Sequence, residues 1–454
     1  MKNFKVFLAG AIAALIAMPA FAGVNVKMKG DFREYFSVFN YFPAAKFDEG
    51  DKNPSKKEKK DSDFRYAQRV RLSWIAEDDE KKVRGTFGIE VDTVAGQKTK
   101  TQTRNGSGGN FEGDQTNIEI WLAYIDFELP IDPATRVYMG LQETDMNPLV
   151  FCDNAMGVRL VRAFDNVDVS LAWYRNDVDK SRSYSGMRGY GGEGRDYYDN
   201  LYALDVTWNI SDANKLGFFA YFMDAGENFG ASLCSNDSID PMWWGDGTTR
   251  TYWLGLSGAF EQGAFFGGFN AIHQGGEVKA SDSNAEKRDI VAWLANLELG
   301  VKFLDRAYAK IGYLYMSGEK HGKGDINNYF AIDIDNTVTG SVALLENLDW
   351  NGAFYGPNIG PYGAQHVYVN VGYEFNEKTE GRVGFLWANS DKSVDGARNV
   401  GYEFNTQLDY KLTKNLTWSV AGGYMIAGDA WDKVSEDGDG SDLWRIESRL
   451  RFKF

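Results

Sequence analysis

The final stretch of the chain, "LWRIESRLRFKF", alternates apolar and charged positions. With a period of two, Trp444, Ile446, Leu450, Phe452 and Phe454 share one side with Ser448, while Arg445, Glu447, Arg449, Arg451 and Lys453 fill the other. A helical period started at Leu443 gathers Ile446, Leu450 and Phe454 but also Glu447 and Arg451, so the segment predicts a strand. One such strand also suits a soluble sandwich. The pattern recurs, however, from end to end. In "FRYAQRVRLSW", Phe64, Tyr66, Val70, Leu72 and Trp74 oppose Arg65, Arg69, Arg71 and Ser73; in "VRGTFGIEVD", Val83, Phe87, Ile89 and Val91 oppose Arg84, Thr86, Glu90 and Asp92. Further hairpins are predicted around Asp305, Glu377 and Lys414.

Connections between these segments alternate in length. Short polar turns are expected near Asp78, Ile131, Asn166, Asp212, Gln262, Asp305, Glu377 and Lys414. Long polar connections are expected at 40–63, 94–115, 143–155, 177–199, 224–249, 275–288, 317–365, 389–397 and 427–442. The segments number about 18, with about 16 as the alternative, and short turns on one rim with long loops on the other predict an all-β transmembrane antiparallel β-barrel. Its turns would be periplasmic and its loops extracellular. Outward aromatics just before the short turns, among them Trp74, Trp208, Phe260, Phe303, Phe375, Tyr410 and Phe452, suit a membrane–water boundary. A second ring is suggested by Phe36, Trp173, Phe222, Tyr315, Trp387 and Tyr424. This accounts for the terminal alternation: a basic side chain facing lipid at mid-depth costs about 2–4 kcal/mol, whereas one facing the lumen stays hydrated. Pairing the last strand with the first would leave no open edge.

At the other end, Lys2 and Lys5 precede an apolar run from Val6 to Met18 and then Ala20-Phe21-Ala22 before Gly23. Residues 1–22 read as a cleaved signal peptide and 23–454 as the barrel domain. Cleavage would remove two lysines and no acid, moving the formal charge from −15 to −17. No later run is long and charge-free enough for a spanning helix. The mean hydropathy of −0.41 does not exclude a membrane barrel, because only one face of each strand meets lipid. Cys152 and Cys234 are too few for a disulfide framework, and one bridge or two thiols both remain open. The three histidines, His273, His321 and His366, show no zinc spacing.

With the signal peptide, the amphipathic strands, the loop asymmetry and the terminal "FKF" together, the chain resembles Gram-negative outer-membrane porins. More narrowly, its opening "MKNFKVFLAGAIAALIAMPAFAGVNVKMKGDFREYF" and its closing strand resemble the homotrimeric porins of sulfate-reducing bacteria. The resemblance implies homotrimers, passive diffusion of small hydrophilic solutes and ions, and a C-terminal aromatic, here Phe454, read by the barrel-assembly machinery. It implies no enzymatic activity.

Inward basic residues concentrate on strands that adjoin once the barrel closes. Arg33, Arg65, Arg69, Arg71, Arg84, Arg445, Arg449 and Arg451, with Lys27 and Lys29, predict a pore-lining basic wall. The resemblance also implies that the third long loop, "ETDMNPLVFCDNAMG", folds into the barrel, setting Glu143, Asp145 and Asp153 against the arginines in a transverse field. The blander reading pairs those arginines with Glu90, Asp92 and Glu447 on the wall. No cofactor is expected; "EDGDGSD" (436–442) offers oxygen ligands for loop-bound calcium but lacks the full helix-flanked loop signature, and an acidic loop tip is the preferred account. The lysine run "KNPSKKEKK" decorates the first outer loop, and "GMRGYGGEGRDYYDN" lacks the strand-to-helix context of a phosphate cradle. Acidic loops would engage lipopolysaccharide through divalent cations. No serine–histidine pairing favours a barrel hydrolase. A substrate-specific channel for a sugar, amino acid or anion is the alternative, with Tyr138, Trp253, Tyr308 and Tyr368 as inward aromatics.

Overall fold

Wherever the period-two pattern runs, the chain forms a strand. The computed structural model describes residues 23–40, 63–95, 117–178, 197–225, 247–280, 287–319, 324–332, 362–434 and 442–454. In chain order the strands begin with β1 (Val24–Phe39), β2 (Asp63–Asp78), β3 (Val83–Ala95), β4 (Asn117–Leu129), β5 (Asp132–Glu143) and β6 (Asn154–Ala163). They continue with β7 (Val167–Val178), β8 (Tyr197–Asn209), β9 (Lys215–Ala225), β10 (Gly247–Gln262), β11 (Phe265–Ala280) and β12 (Arg288–Phe303). β13 (Ala307–Met316), β14 (Ala364–Asn376), β15 (Thr379–Val394), β16 (Ala397–Lys411), β17 (Leu416–Ala427) and β18 (Leu443–Lys453) complete the sheet. Among the described residues the one helix is the short α1 (Asp429–Val434), and no helix is long and apolar enough to cross a membrane.

Each strand pairs antiparallel with its neighbours, and β18 pairs with β1 from Asp31 opposite Lys453 to Phe39 opposite Arg445. The result is a closed barrel of 18 strands, not 16. Closure matters because an unpaired strand edge inside a bilayer would leave a row of N–H and C=O groups with nothing to bond. Phe454 finishes the seam: its N–H donates to the Gly30 carbonyl at 3.1 Å and its carbonyl accepts from Gly30 at 2.9 Å. Its ring lies over the bare Cα of Gly30 and stacks on Phe32 at 6.2 Å.

All eight short connections fall where expected and span two to five residues. Two expected long loops are shorter than the sequence suggested. β11 continues to Ala280, so the connection to β12 begins later. β15 and β16 run on to a two-residue turn at Asp395 and Gly396, whose φ angles of 46° and 91° give the mirror-image turn that matches strand twist. The signal was present in "SVDGAR", where Asp-Gly is the dipeptide that this turn prefers.

Outward positions form an exposed apolar belt. Leu256, Leu297 and Leu299 are each nearly half exposed, as are the rim aromatics Trp208, Phe303 and Phe375. So large a continuous apolar surface needs an apolar partner, and on a closed barrel a bilayer fits it. Inward positions carry the charged and polar residues and two apolar clusters. Residues 1–22, 52–60, 186–196 and 435–441, with Cys234 and the Arg65 side chain, lie outside the described residues, so the signal peptide, the lysine run, the glycine-rich stretch and most of the acidic loop do too. Asp442, the last of that loop's carboxylates, bonds to Tyr424 Oη (2.6 Å) and the Ala427 N–H (3.0 Å) at the end of β17.

Candidate functional site in the barrel lumen

The lumen wall is most highly charged where the chain ends meet. Arg451, Arg33 and Arg69 stand directly opposite one another on β18, β1 and β2. Like charges in such a row repel, and wall carboxylates offset them. Asp31 accepts from Arg33 at 2.9 Å and from Arg451 at 2.6 and 3.0 Å. Arg69 donates to Asp92 at 2.9 and 3.0 Å and lies 3.3 Å from Glu90, which also pairs with Arg71. Further along β18, Glu447 pairs with Arg445 and accepts from Ser37 Oγ at 2.9 Å. Arg449 lines a hollow with Gln407, Ser419, Ala421 and Glu447. Arg65 is opposite Ser37 in the backbone register. Arg84 stands apart at the turn end of β3, sharing Asp126 with Arg136. Most of the expected basic residues therefore come together on three adjoining strands, in a ribbon whose arginines are offset by carboxylates of β1, β3 and β18. Asp31 obeys the same parity as Arg33 and was readable; it went unnoticed beside the arginines.

The connection 143–155 turns into the barrel. The Asn147 side-chain amide donates to Asn270 Oδ1 on β11 at 2.9 Å, and its backbone N–H donates to Tyr221 Oη on β9 at 2.8 Å. Tyr221 in turn donates to Asp205 on β8. The loop thus reaches strands well away from its own hairpin. Its apolar residues Leu149, Val150 and Phe151 are buried there, which no segment lying over the mouth would need. Of its acids, Asp145 pairs at 2.9 Å with Arg159 on the adjoining β6. Asp153 accepts from the Asn154 N–H, and Glu143 is the exposed last residue of β5. Cys152, half-buried, sits in the same loop.

A second segment, 324–332, joins it and was not foreseen. Ile326 exchanges backbone bonds with β12, accepting from Val291 at 2.9 Å and donating to Asp289 at 2.7 Å. The Phe330 N–H donates to Gln274 on β11, and its carbonyl accepts from Trp253 Nε1 on β10 at 3.1 Å. Tyr329 Oη donates to the Leu149 carbonyl at 2.8 Å, and the Ile332 N–H donates to Val150 at 2.8 Å. Both in-folded segments and wall residues such as Trp253, fully buried, form one apolar cluster inside the barrel. A second cluster gathers α1, Tyr368, Leu386 and Met425. All four inward aromatics hold their expected side, but Trp253 and Tyr368 pack into these clusters. Inside the barrel the first apolar cluster lies against β7 to β13, and the charged ribbon runs along β18, β1 and β2.

No family model matches the chain, and no curated protein is similar in sequence. Solved structures are similar in fold. OccAB4 of Acinetobacter baumannii has a TM-score of 0.55 at 12% identity, covering 95% of this chain and 99% of that one. A BenF-like porin from Pseudomonas fluorescens Pf-5 has a TM-score of 0.55 at 9% identity, covering 95% and 98%. The outer membrane protein OpdK of Pseudomonas aeruginosa has a TM-score of 0.54 at 10% identity over 95% and 98%, and its structure with vanillate scores 0.55. At these identities the likeness is one of fold.

Proposed function

We propose that this chain is an outer-membrane channel of a Gram-negative bacterium, exported with a cleaved signal peptide, that passes small hydrophilic solutes passively and with substrate preference. The observation that carries the preference is the double infolding: two segments from opposite parts of the chain meet over Leu149–Tyr329 and Val150–Ile332 bonds inside the lumen. A general diffusion pore has no need of so filled a lumen. The OpdK structure with vanillate lends support; in this chain Arg451, Arg33 and Arg69 line up in one row, paired with Asp31, Asp92 and Glu90, and a small carboxylate would bind there by exchanging with those wall partners. Enzymatic chemistry has no part in this reading. Assembly as homotrimers, insertion through recognition of Phe454, contact with lipopolysaccharide and kinship with the porins of sulfate-reducing bacteria are further proposals that rest on the sequence resemblance.

Purified protein in planar bilayers is expected to show discrete conductance steps that small carboxylates block in a saturable manner, with neutral sugars of similar size leaving them unchanged. Steps that scale with bulk conductivity and resist every solute would return the general diffusion pore. No steps at all would remove the channel.

A further inference from the structure

The in-folded loop 143–155 is held at two points of different character. Its seat is one row of the wall, in which Tyr138 on β5, Arg159 on β6, Ala172 on β7, Ala203 on β8 and Tyr221 on β9 stand opposite one another in turn. Arg159 and Tyr221 are therefore roughly 14 Å apart across the sheet, with only two alanine methyl groups between them. The loop fills that interval, and Met146, Leu149 and Val150 pack in one cluster with Ala203 and Tyr221. At the Tyr221 end the anchor is buried: the phenol accepts from the Asn147 N–H and donates to Asp205. At the Arg159 end it is open. The Asp145 side chain is 81% exposed while it pairs at 2.9 Å with Arg159, whose own side chain is 11% exposed. Asp145 also has a φ of 55°, in the left-handed region that is unfavourable for a residue with a side chain.

An ion pair so open to water holds a loop weakly, and the backbone of Asp145 works against it. The arginine, by contrast, stays in place without Asp145, because its guanidinium lies on the Tyr138 ring at 4.5 Å. Only Nη1 serves Asp145, and Nε is buried with no hydrogen-bond partner among the described residues. A carboxylate that accepts from Nε and a terminal nitrogen together makes the two-pronged pair that a guanidinium favours, which Asp145 does not. We propose that Asp145 is the displaceable occupant of a carboxylate site at Arg159, and that a small monocarboxylate solute takes its place and frees that end of the loop while Asn147 holds the other. One negative charge suits the site better than two, since Asp205 lies within electrostatic reach of both Arg159 and Asp145. The site stands four strands beyond the ribbon edge at β2, and exchange here is with a loop where exchange on the ribbon is with the fixed wall. The proposal rests on the reading of a channel that prefers small carboxylates, and adds a place where the solute itself loosens the in-folded loop.

Benzoate, with benzamide as its uncharged counterpart, tests this in single-channel recordings at fixed ionic strength. Benzoate is expected to block the wild type in a saturable manner. Asp145→Asn removes the competing charge and should tighten that block about fivefold. Arg159→Gln should weaken it about tenfold, and Arg159→Lys, which keeps the charge without the fork, should weaken it about threefold. Block equal to wild type in all three variants overturns the proposal and leaves the carboxylate preference standing, with its site on the ribbon. Weaker block in Asp145→Asn also overturns it, because Asp145 would then support binding instead of competing with it. A wild type that benzoate does not block overturns the proposal and the preference together. Hydrogen exchange of the detergent-solubilised protein reads the loop directly through Thr144, whose N–H donates to the Asp153 carbonyl at 3.2 Å beside Asp145. Benzoate should speed exchange there about threefold and benzamide should not. Exchange that benzoate slows or leaves unchanged would overturn the release, since a solute that merely filled the passage would protect the loop.

Discussion

Asn147 is the residue on which the constriction depends most directly, because its backbone and its side chain bond to two different strands across the lumen. Replacing Asn147 and Asn270 by alanine leaves the apolar packing and the backbone bond to Tyr221 in place but removes the side-chain tether to β11. Single-channel conductance is then expected to rise roughly twofold, and conductance equal to wild type would assign the anchoring to packing alone. At this scale the sequence was legible by parity. The side on which Arg33, Arg69, Arg71, Arg445, Arg449 and Arg451 stand follows from odd numbering on β1, β2 and β18. Of their partners, Glu90, Asp92 and Glu447 were legible in the same way; Asp31 was less so, because it bonds two arginines from different strands, a relation that needs the barrel to be closed before it exists.

The in-folded segment 324–332 shows why elements without a period escape a reading by pattern. It has no alternation of its own, and what holds it is a borrowed set of wall bonds. Glu319, just past β13, belongs to that set: it pairs with Arg288, whose Nε also donates to the Gly324 carbonyl at 2.8 Å. Burial pushes the Glu319 carboxyl above the ordinary glutamate range, and the Arg288 guanidinium offsets part of that. A carboxyl raised in this way stabilises the docked state fully below its unfolded pKa and loses that contribution as pH rises through the folded value. Amide exchange at Ile326, Tyr329 and Ile332, corrected for intrinsic rates, should therefore show protection falling as pH rises past the ordinary glutamate range. The same profile in Glu319→Gln should be flat; an identical slope would point to another group. The short turns, by contrast, were all foreseen, because most are marked locally by short polar clusters, such as Asp305–Arg306 and Glu377–Lys378. The Asp395–Gly396 turn was legible and was passed over only because polar residues surround it.

For the whole molecule, the proposed channel would take the sign of its field from the arginine–carboxylate ribbon. Removing Arg69 and Arg449 leaves Asp92, Glu90 and Glu447 with less positive charge beside them. Arg69→Ala with Arg449→Ala should then lower anion relative to cation permeability about twofold or more, read as a reversal potential in a salt gradient. An unshifted potential would mean that ions pass elsewhere. The seam between β1 and β18 has a different reach, since Ser37 and Glu447, hydrogen-bonded across it, are 410 residues apart. Contacts so distant form late and slowly, so nearly the whole polypeptide must be delivered before the cylinder can shut. Until then β1 and β18 carry bare edges open to mispairing. Without β18 the facing edges of β1 and β17 would both stand unpaired, so that single strand decides whether the wall is continuous.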